Sequence, residues 1–420
     1  MPYQNNLEAY RLVPSVKADL PVFLAAGFAI LLACSFQGGL CGRLDPESGR
    51  VRILYIGDGW GPSPVPKFRS DPAFTVISVP TSELHVGHGV STFDNNAMKK
   101  FVRLYMPRTY GELIDGYDLI IISDANRLFM EGKHMDWMVR STTQEGFGLV
   151  MIGGLESFGA PRGEPWTDIE EVLPVTLIPG NMFPRSFKVR PAIDHPFTRS
   201  LPWSSIPYFH STNMVTLKQE STLLLTADEI RYPPLSFADY GQGRGVAHSS
   251  DWTPGAGADV MRWEYYIDYV ANIAYLATKN DIPQDANLLH LLRISFWSSR
   301  SRMSSVMDTL SFVEKFGART LGVELQLEEV KEEIFHAEDL YIRQEYESSR
   351  NRIDEIDEMI IDLQDRAMGL KDQALFWVYL IEWAVMLGTS LVAGFVLWSL
   401  MVRRRLYREV RVTRMGASGR

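Results

Sequence analysis

Four short runs of the sequence are apolar almost from end to end: VRILYIGD from Val51, FTVISVP from Phe74, YDLIIISD from Tyr117 and GFGLVMIGG from Gly146. A strand with one face in water alternates apolar and polar residues. These do not alternate, so both faces must be covered, as in a parallel sheet sandwiched between helices. Between the runs lie NNAMKKFVRLYM and HMDWMVRSTTQE, whose apolar residues recur at helical spacing. Strand–helix alternation of this kind imposes right-handed crossovers. It predicts an α/β fold with an open, flavodoxin-like, mostly parallel sheet.

In such a sheet, ligands sit beyond the carboxyl ends of the strands. The four strand ends carry Asp58, then Thr81-Ser82-Glu83, then Ser123-Asp124, then Gly153-Gly154 with Glu156-Ser157. The loop GDGWGPSPVPKF combines glycines (Gly57, Gly59, Gly61) that allow close backbone approach with prolines (Pro62, Pro64, Pro66) that stiffen it. Trp60 between them is either an aromatic platform for a sugar or a partner surface, or a side chain packed on a neighbouring loop. Proline where a helix should begin excludes a dinucleotide-binding loop. GQGRG, from Gly241, reads as a hairpin turn, and MRWEYYIDYVANIAYLAT, from Met261, as an amphipathic helix whose aromatics pack into the core.

Six segments in order carry a resemblance: ILYIGDGWGPSPVPKF, YDLIIISD, GFGLVMIGGLESFGA, EEVLPVTL, IDHPFTRSLPW and PLSFADYGQGRGVAHSSDW. Together they resemble the putative glutamine amidotransferase family of the class I amidotransferase-like superfamily, near the trehalose-utilisation-type proteins, over about Arg50 to Thr278. The resemblance implies a Cys–His–Glu triad with the thiol at the corner after a strand. Here that corner reads Gly154-Leu155-Glu156-Ser157, and the two cysteines, Cys34 and Cys41, both precede the first strand. The expectation is an amidotransferase-like fold without glutaminase chemistry, a pseudoenzyme needing no cofactor, because no other side chain is an equivalent soft nucleophile.

The residues expected to line the ligand site are Asp58, Gly59, Trp60, Ser123, Asp124, Gly154, Glu156, Ser157, His248 and Asp251. Two catalytic alternatives stay open. Glu156, Ser157 and His248 offer a serine mechanism, although Leu155 occupies the first glycine position of a G-x-S-x-G elbow. Asp58, Asp124, Glu156 and Asp251, with His85 and His88, offer oxygen and nitrogen ligands, yet no metal-binding motif joins them and no metal is expected. The plainer reading is that Asp58 and Asp124 hold loop amides through Asx-type bonds, and that His85, His88, His195, His210 and His248 serve in ordinary hydrogen bonding.

Two segments are apolar enough for a membrane. Residues 20–41 carry no charge, and Phe376–Val402 carries one acid, Glu382, with Trp377, Tyr379 and Trp383 at one end and Trp398 near the other. Arg403, Arg404, Arg405, Arg408, Arg411 and Arg414 follow the second segment. Basic flanks stay cytoplasmic. The expected layout is a two-span protein of the cell membrane. Residues 1–19 and the basic tail at 403–420 are inside, and an α/β domain at 50–280 and a helical stalk at 285–374 are outside. The rival for the first segment is a signal peptide, since LLAC at Leu31–Cys34 resembles a lipobox.

Net charge is −9, which argues against a general nucleic-acid binder. The charge is concentrated: Leu321–Ala374 holds 16 Asp or Glu against 6 Lys or Arg. Along that stretch Leu327, Val330, Ile334, Ala337 and Tyr341, then Ile353, Ile356, Ile360, Leu363, Ala367 and Leu370, form a heptad-type seam broken between Gln344 and Arg352. Two antiparallel helices turning near Gly317 are expected, or a coiled coil between homo- or hetero-oligomeric partners. The functional reading is a membrane-anchored extracytoplasmic domain that binds a carbohydrate or surface protein at the strand-end rim. The alternatives are a hydrolase or metal-dependent enzyme using the rim carboxylates and His248, and a structural component of an envelope complex.

Overall fold

The computed structural model describes residues 42–57, 59, 63–81, 95–159 and 164–416. The apolar segment at 20–41, both cysteines, and Asp58, Trp60, His85 and His88 lie outside the described residues. The α/β part contains β1 (Val51–Gly57), α1 (Val65–Ser70), β2 (Phe74–Pro80), α2 (Asn95–Tyr105), α3 (Tyr110–Gly116), β3 (Leu119–Ser123), α4 (Gly132–Glu145) and β4 (Gly148–Ile152). There follow β5 (Val175–Phe183), β6 (Arg190–Pro191), α5 (Pro196–Arg199), β7 (Thr212–Leu217), β8 (Thr222–Thr226), β9 (Leu235–Tyr240), β10 (Gly243–His248), α6 (Ala258–Met261) and α7 (Tyr266–Ala277).

Eight strands form one sheet in the order β2-β1-β3-β4-β10-β9-β8-β6, and β5 with β7 forms a separate ribbon. The first five strands are parallel. The last three add antiparallel, and the sense reverses at the β9–β10 hairpin, where Gly241 takes a φ of 60°. The unalternating strands are buried on both sides. Ile53, Tyr55, Leu119, Ile121, Val150 and Ile152 point into one core with α1 and α7. Their neighbours Leu54, Ile56, Ile120, Ile122, Leu149 and Met151 point into another with α2, α3 and α4. A side-chain period of two sends successive residues to opposite faces, and each full burial contributes about 1.5–3 kcal/mol.

Three helices complete the described chain: α8 (Ala286–Glu314), α9 (Leu321–Ile342) and α10 (Tyr346–Gly416). The expected pair is thus a trio. Gly317 (φ 76°) turns α8 into α9, and Gln344 (φ 64°) turns α9 into α10. A non-glycine residue in the left-handed region is an uncommon stop, so the sequence shows this second turn only as a break in the seam. The seam residues face one another within the chain. Val306 and Leu310 of α8, Leu327 and Val330 of α9, and Ile356 and Ile360 of α10 share one core, and this core is continuous with the α7 side of the sheet.

Charged contacts as well as apolar packing join the bundle to the sheet domain. Arg293 of α8 is fully buried and pairs with Asp71 after α1 at 2.8 Å and with Asp268 of α7 at 2.7 Å. His290 Nδ1 meets the other oxygen of Asp268 at 2.6 Å. Burial alone lowers the tendency of Arg293 to stay charged, but Tyr341, Asp71 and Asp268 around it hold its pKa well above the ordinary guanidinium value. Nearer the surface, Glu338 of α9 bridges Arg50 before β1 and Arg300 of α8.

Helix α10 has 71 residues, a length of about 107 Å at 1.5 Å per residue. Among the described residues one helix, its Tyr346–Arg405 part, is long and apolar enough to cross a membrane, its apolar 18-residue window having a mean hydropathy of 2.0. Ala374 is the last of its core residues, and the large apolar side chains from Phe376 to Val402 are exposed.

Candidate functional site at the strand-end rim

Strand β1 lies between β2 and β3, so the chain leaves it in one direction and returns on the other side. Such a reversal marks the carboxyl ends of β1 and β3 as the place where doubly wound sheets hold ligands. Gly57 closes β1 with a φ of 125°, and a Cβ on it would stand 1.9 Å from the Ser123 carbonyl oxygen. Only glycine fits there. The Gly57 carbonyl accepts from the amides of Gly59 at 3.0 Å and Thr81 at 3.2 Å, which ties Thr81, just after β2, to the end of β1.

The corner after β4 is tied to the end of β3. Asp124 sits in the left-handed region (φ 47°), and its Oδ1 accepts the Glu156 amide at 2.6 Å. In return the Asp124 amide donates to Ser157 Oγ at 3.1 Å. Asn126 Nδ2 donates to Glu156 Oε1 at 2.8 Å, and Trp166 Nε1 donates to the Glu156 carbonyl at 2.9 Å. Asn213 of β7 clamps the turn from the far side. Its Oδ1 accepts the Gly154 amide at 2.8 Å, and its Nδ2 donates to the carbonyls of Gly154 at 3.0 Å and Ser157 at 3.3 Å. Gly154 is required because a Cβ would come within 2.4 Å of Asp124 Oδ1.

The end of β10 forms a separate cluster. His248 is buried among Phe209, Trp252 and Tyr269. Its Nδ1 lies 2.6 Å from the Ser250 carbonyl, which can only accept, so Nδ1 carries the proton and Nε2 accepts from Tyr269 OH at 2.7 Å. Burial drives the pKa of His248 down to about 4, against the pull of the Ser250 carbonyl, which favours the charged ring. Trp252 Nε1 donates to Ser123 Oγ at 3.0 Å, linking β10 back to β3. Asp251 folds onto its own turn, accepting from the Thr253 amide at 2.7 Å and hydroxyl at 2.6 Å, and from the Ala256 amide at 3.2 Å.

Residues 91–278 match the family model of the putative glutamine amidotransferases (GATase1-like). The match runs from before α2 to the end of α7. No curated protein matches the chain. Among solved structures, a cytoplasmic protein from Salmonella typhimurium LT2 is 20% identical, over 54% of this chain and 100% of that one, with a TM-score of 0.43. A second cytoplasmic protein from Salmonella typhimurium is 19% identical, over 54% and 99%, with a TM-score of 0.43. A cold-adapted β-galactosidase from Rahnella sp. R3 is 14% identical, over 64% of this chain and 36% of that one, with a TM-score of 0.32. Likenesses this distant carry no argument about function.

Within the amidotransferase-like domain the candidate residues fall into distinct groups. Asp124, Gly154, Glu156 and Ser157 come together at the β3–β4 corner. His248 belongs to the β10 cluster, Ser123 links the two through Trp252, and Asp251 stands on its own turn. Gly59 lies beside Ser78, and Asp58 and Trp60 are outside the described residues. No hydrogen bond joins Ser157 to His248, since both imidazole nitrogens are engaged elsewhere. Asp124 does hold a loop amide, but it is that of Glu156, 32 positions on, and not the local Asx-type bond expected. His195 caps α5 by accepting the Phe197 amide at 3.1 Å, and His210 bridges Ser186 and Asp259. Among the described residues no group of three or more His, Cys, Asp or Glu can hold a metal ion.

The sequence reading missed Asn213, Trp166 and Asn126. They come from outside the four parallel strand ends or just beyond them, and no local pattern marks them. It also missed a cavity of about 470 Å³ between β7, β8 and the Ile230–Pro234 turn, lined by Ile178, Val215, Leu223 and Tyr232 with Arg231.

Proposed function

We propose that this chain is a membrane-tethered, extracytoplasmic amidotransferase-like module. It has no glutaminase activity, and it binds a carbohydrate or a surface protein at the strand-end rim. The observation that carries this is the corner after β4. Ser157, its one hydroxyl, is fully buried and receives the Asp124 amide, so it is an architectural acceptor rather than a nucleophile. A neutral, fully engaged His248 cannot serve it as base. The rim's described polar groups build a rigid floor. The sequence assigns ligand contact to Gly59 and its neighbours Asp58 and Trp60, where glycine allows close approach and an indole offers a flat apolar face.

The arginine cluster from Arg403 to Arg414, just beyond the apolar part of α10, supports placing the tail in the cytoplasm and the domain outside. The bundle's seam is filled by the chain's own three helices, which favours a ligand-binding module over an envelope component assembled through that seam.

The test is to incubate the purified full chain in detergent with glutamine and with a glutamine-mimicking affinity label. Ammonia release at the background rate and no covalent adduct are expected. Turnover, or an adduct on Ser157, refutes the reading. A panel of oligosaccharides and surface-protein extracts, screened by thermal shift on wild type and on Trp60→Ala, then assigns the ligand class.

A further inference from the structure

We infer that the turn between α8 and α9 is a second membrane contact, resting in the outer interface of the bilayer beside α10. This rests on the reading of α10 as a membrane span. The evidence is a matter of level along the bundle. Ser299 of α8 hydrogen-bonds Asp357 of α10, 58 positions later in the chain, at 2.9 Å. The two helices run in the same direction, so at that offset Phe316 is level with Ala374. Ala374 is the last core residue of α10, and the exposed apolar run begins at Phe376. Two residues of helix span about 3 Å. The antiparallel neighbour agrees: Arg366 of α10 bonds Gln326 of α9 at 3.0 Å, which sets Leu325 and Leu321 beside the same last turns.

The chemistry at this level suits lipid. Phe312 and Phe316 pair at a centroid distance of 5.0 Å and stay exposed, Phe316 at 46%. Leu321 and Leu325 are more exposed still, at 66% and 64%. These four large apolar groups are all exposed within about two turns of the hairpin tip, which water disfavours. Aromatic side chains favour the headgroup level of a bilayer. Two acids flank the tip, Glu314 exposed and Glu324 half-buried, and the Thr320 hydroxyl lies within hydrogen-bond reach of both carboxylates. Lys315 and Arg319 form no ion pair among the described residues, which leaves two cations at the height of lipid phosphates. The contact gives the domain two footings. The sheet domain packs along α8 as far as Arg300, which bonds the Arg69 carbonyl, about 24 Å of helix above Phe316.

The experiment places a fluorophore by single cysteines in the full chain with Cys34→Ser and Cys41→Ser, reconstituted in vesicles of phosphatidylcholine and phosphatidylglycerol. Labels go at Ala318→Cys in the turn, Leu387→Cys mid-span and Glu332→Cys on the exposed side of α9, and lipids carry quenchers near the headgroup or deep in the acyl chain. The inference expects the deep quencher to act at 387, the shallow one at 318 and neither at 332. Adding Phe312→Ser and Phe316→Ser should cut quenching at 318 by about threefold or more, with 387 unchanged. Quenching at 387 but not at 318 overturns the inference while the span stands. A silent 387 overturns the span itself and the inference with it. Quenching at 318 that ignores the double substitution also overturns it, because the aromatic pair is then not the contact.

Discussion

Acidification should destabilise this protein through His248, and the size of the effect follows from the surroundings of the ring. The ring is held neutral with a pKa of about 4, against 6.5 for an exposed histidine. Between those values the unfolded chain binds a proton that the native chain refuses, so stability falls as pH drops through 6.5 and the loss is complete below about 4. Integrating over that window gives a loss of about 2 kcal/mol by pH 5 and about 3 kcal/mol by pH 4. Burial lowers His134 and His195 as well, so the wild-type slope alone does not isolate His248. His248→Gln does, because glutamine cannot titrate. Urea unfolding of the full chain in detergent, followed by tryptophan fluorescence at pH 7.5 and pH 5, provides the comparison. Trp252, whose ring centroid lies 6.0 Å from that of His248, reports on the site directly. The variant starts lower by about 1–3 kcal/mol for its lost hydrogen bonds, but its further loss on acidification should be smaller than that of wild type by about 2 kcal/mol. Equal losses in the two proteins would refute a buried neutral His248.

Three other perturbations address the frame. Arg293→Met leaves Asp71 and Asp268 buried without their cation and should cost about 3–5 kcal/mol. In hydrogen exchange its α8 amides should lose protection before those of β3 and β4. Ser157→Ala removes the acceptor of the Asp124 amide and should lower stability by about 1–2 kcal/mol, measured by urea midpoint, while ligand binding at the rim is retained. Gly57→Ala forces a Cβ against the Ser123 carbonyl at positive φ. It should destabilise by more than about 1 kcal/mol, seen as a lower Tm or as loss of folded protein.

The parallel half of the sheet was legible because each of its strands is a local statement. An unbroken apolar run such as Leu119–Ile122 tells of burial on both faces without reference to anything else in the chain. The antiparallel half was not, apart from the hairpin at Gly241. Strands β6, β7 and β8 are short and partly exposed, and what assigns them to a sheet or to the ribbon is their partner. The rim shows the same division. Asp124, Glu156 and Ser157 announce themselves as polar residues after an apolar run, but whether such a group faces a ligand or a backbone amide depends on what crosses over it. Here Asn213, 59 residues beyond Gly154, decides the matter for the turn. Its sequence neighbourhood, TNMV, is that of an ordinary strand.

The bundle obeys the same rule, and its connectivity bears on how the molecule acts. A heptad seam in an acidic segment reads equally well as an oligomeric coil or as an intramolecular hairpin, since both fill the same apolar positions. What separates them is a single residue, Gln344, whose left-handed turn sends α10 back along α9 and keeps the seam within the chain. Arg293 then joins α8 to Asp71 and Asp268 inside the sheet domain, and Tyr341 of α9 packs against Phe296 of α8 at the same level. The first turns of α10 pack on this junction, with Tyr346 against Tyr341 and Ser349 Oγ bonded to the Ala337 carbonyl at 2.9 Å. The sheet domain is therefore tied by side-chain contacts to both α8 and α9, and through them to the helix that continues without a break into the apolar segment.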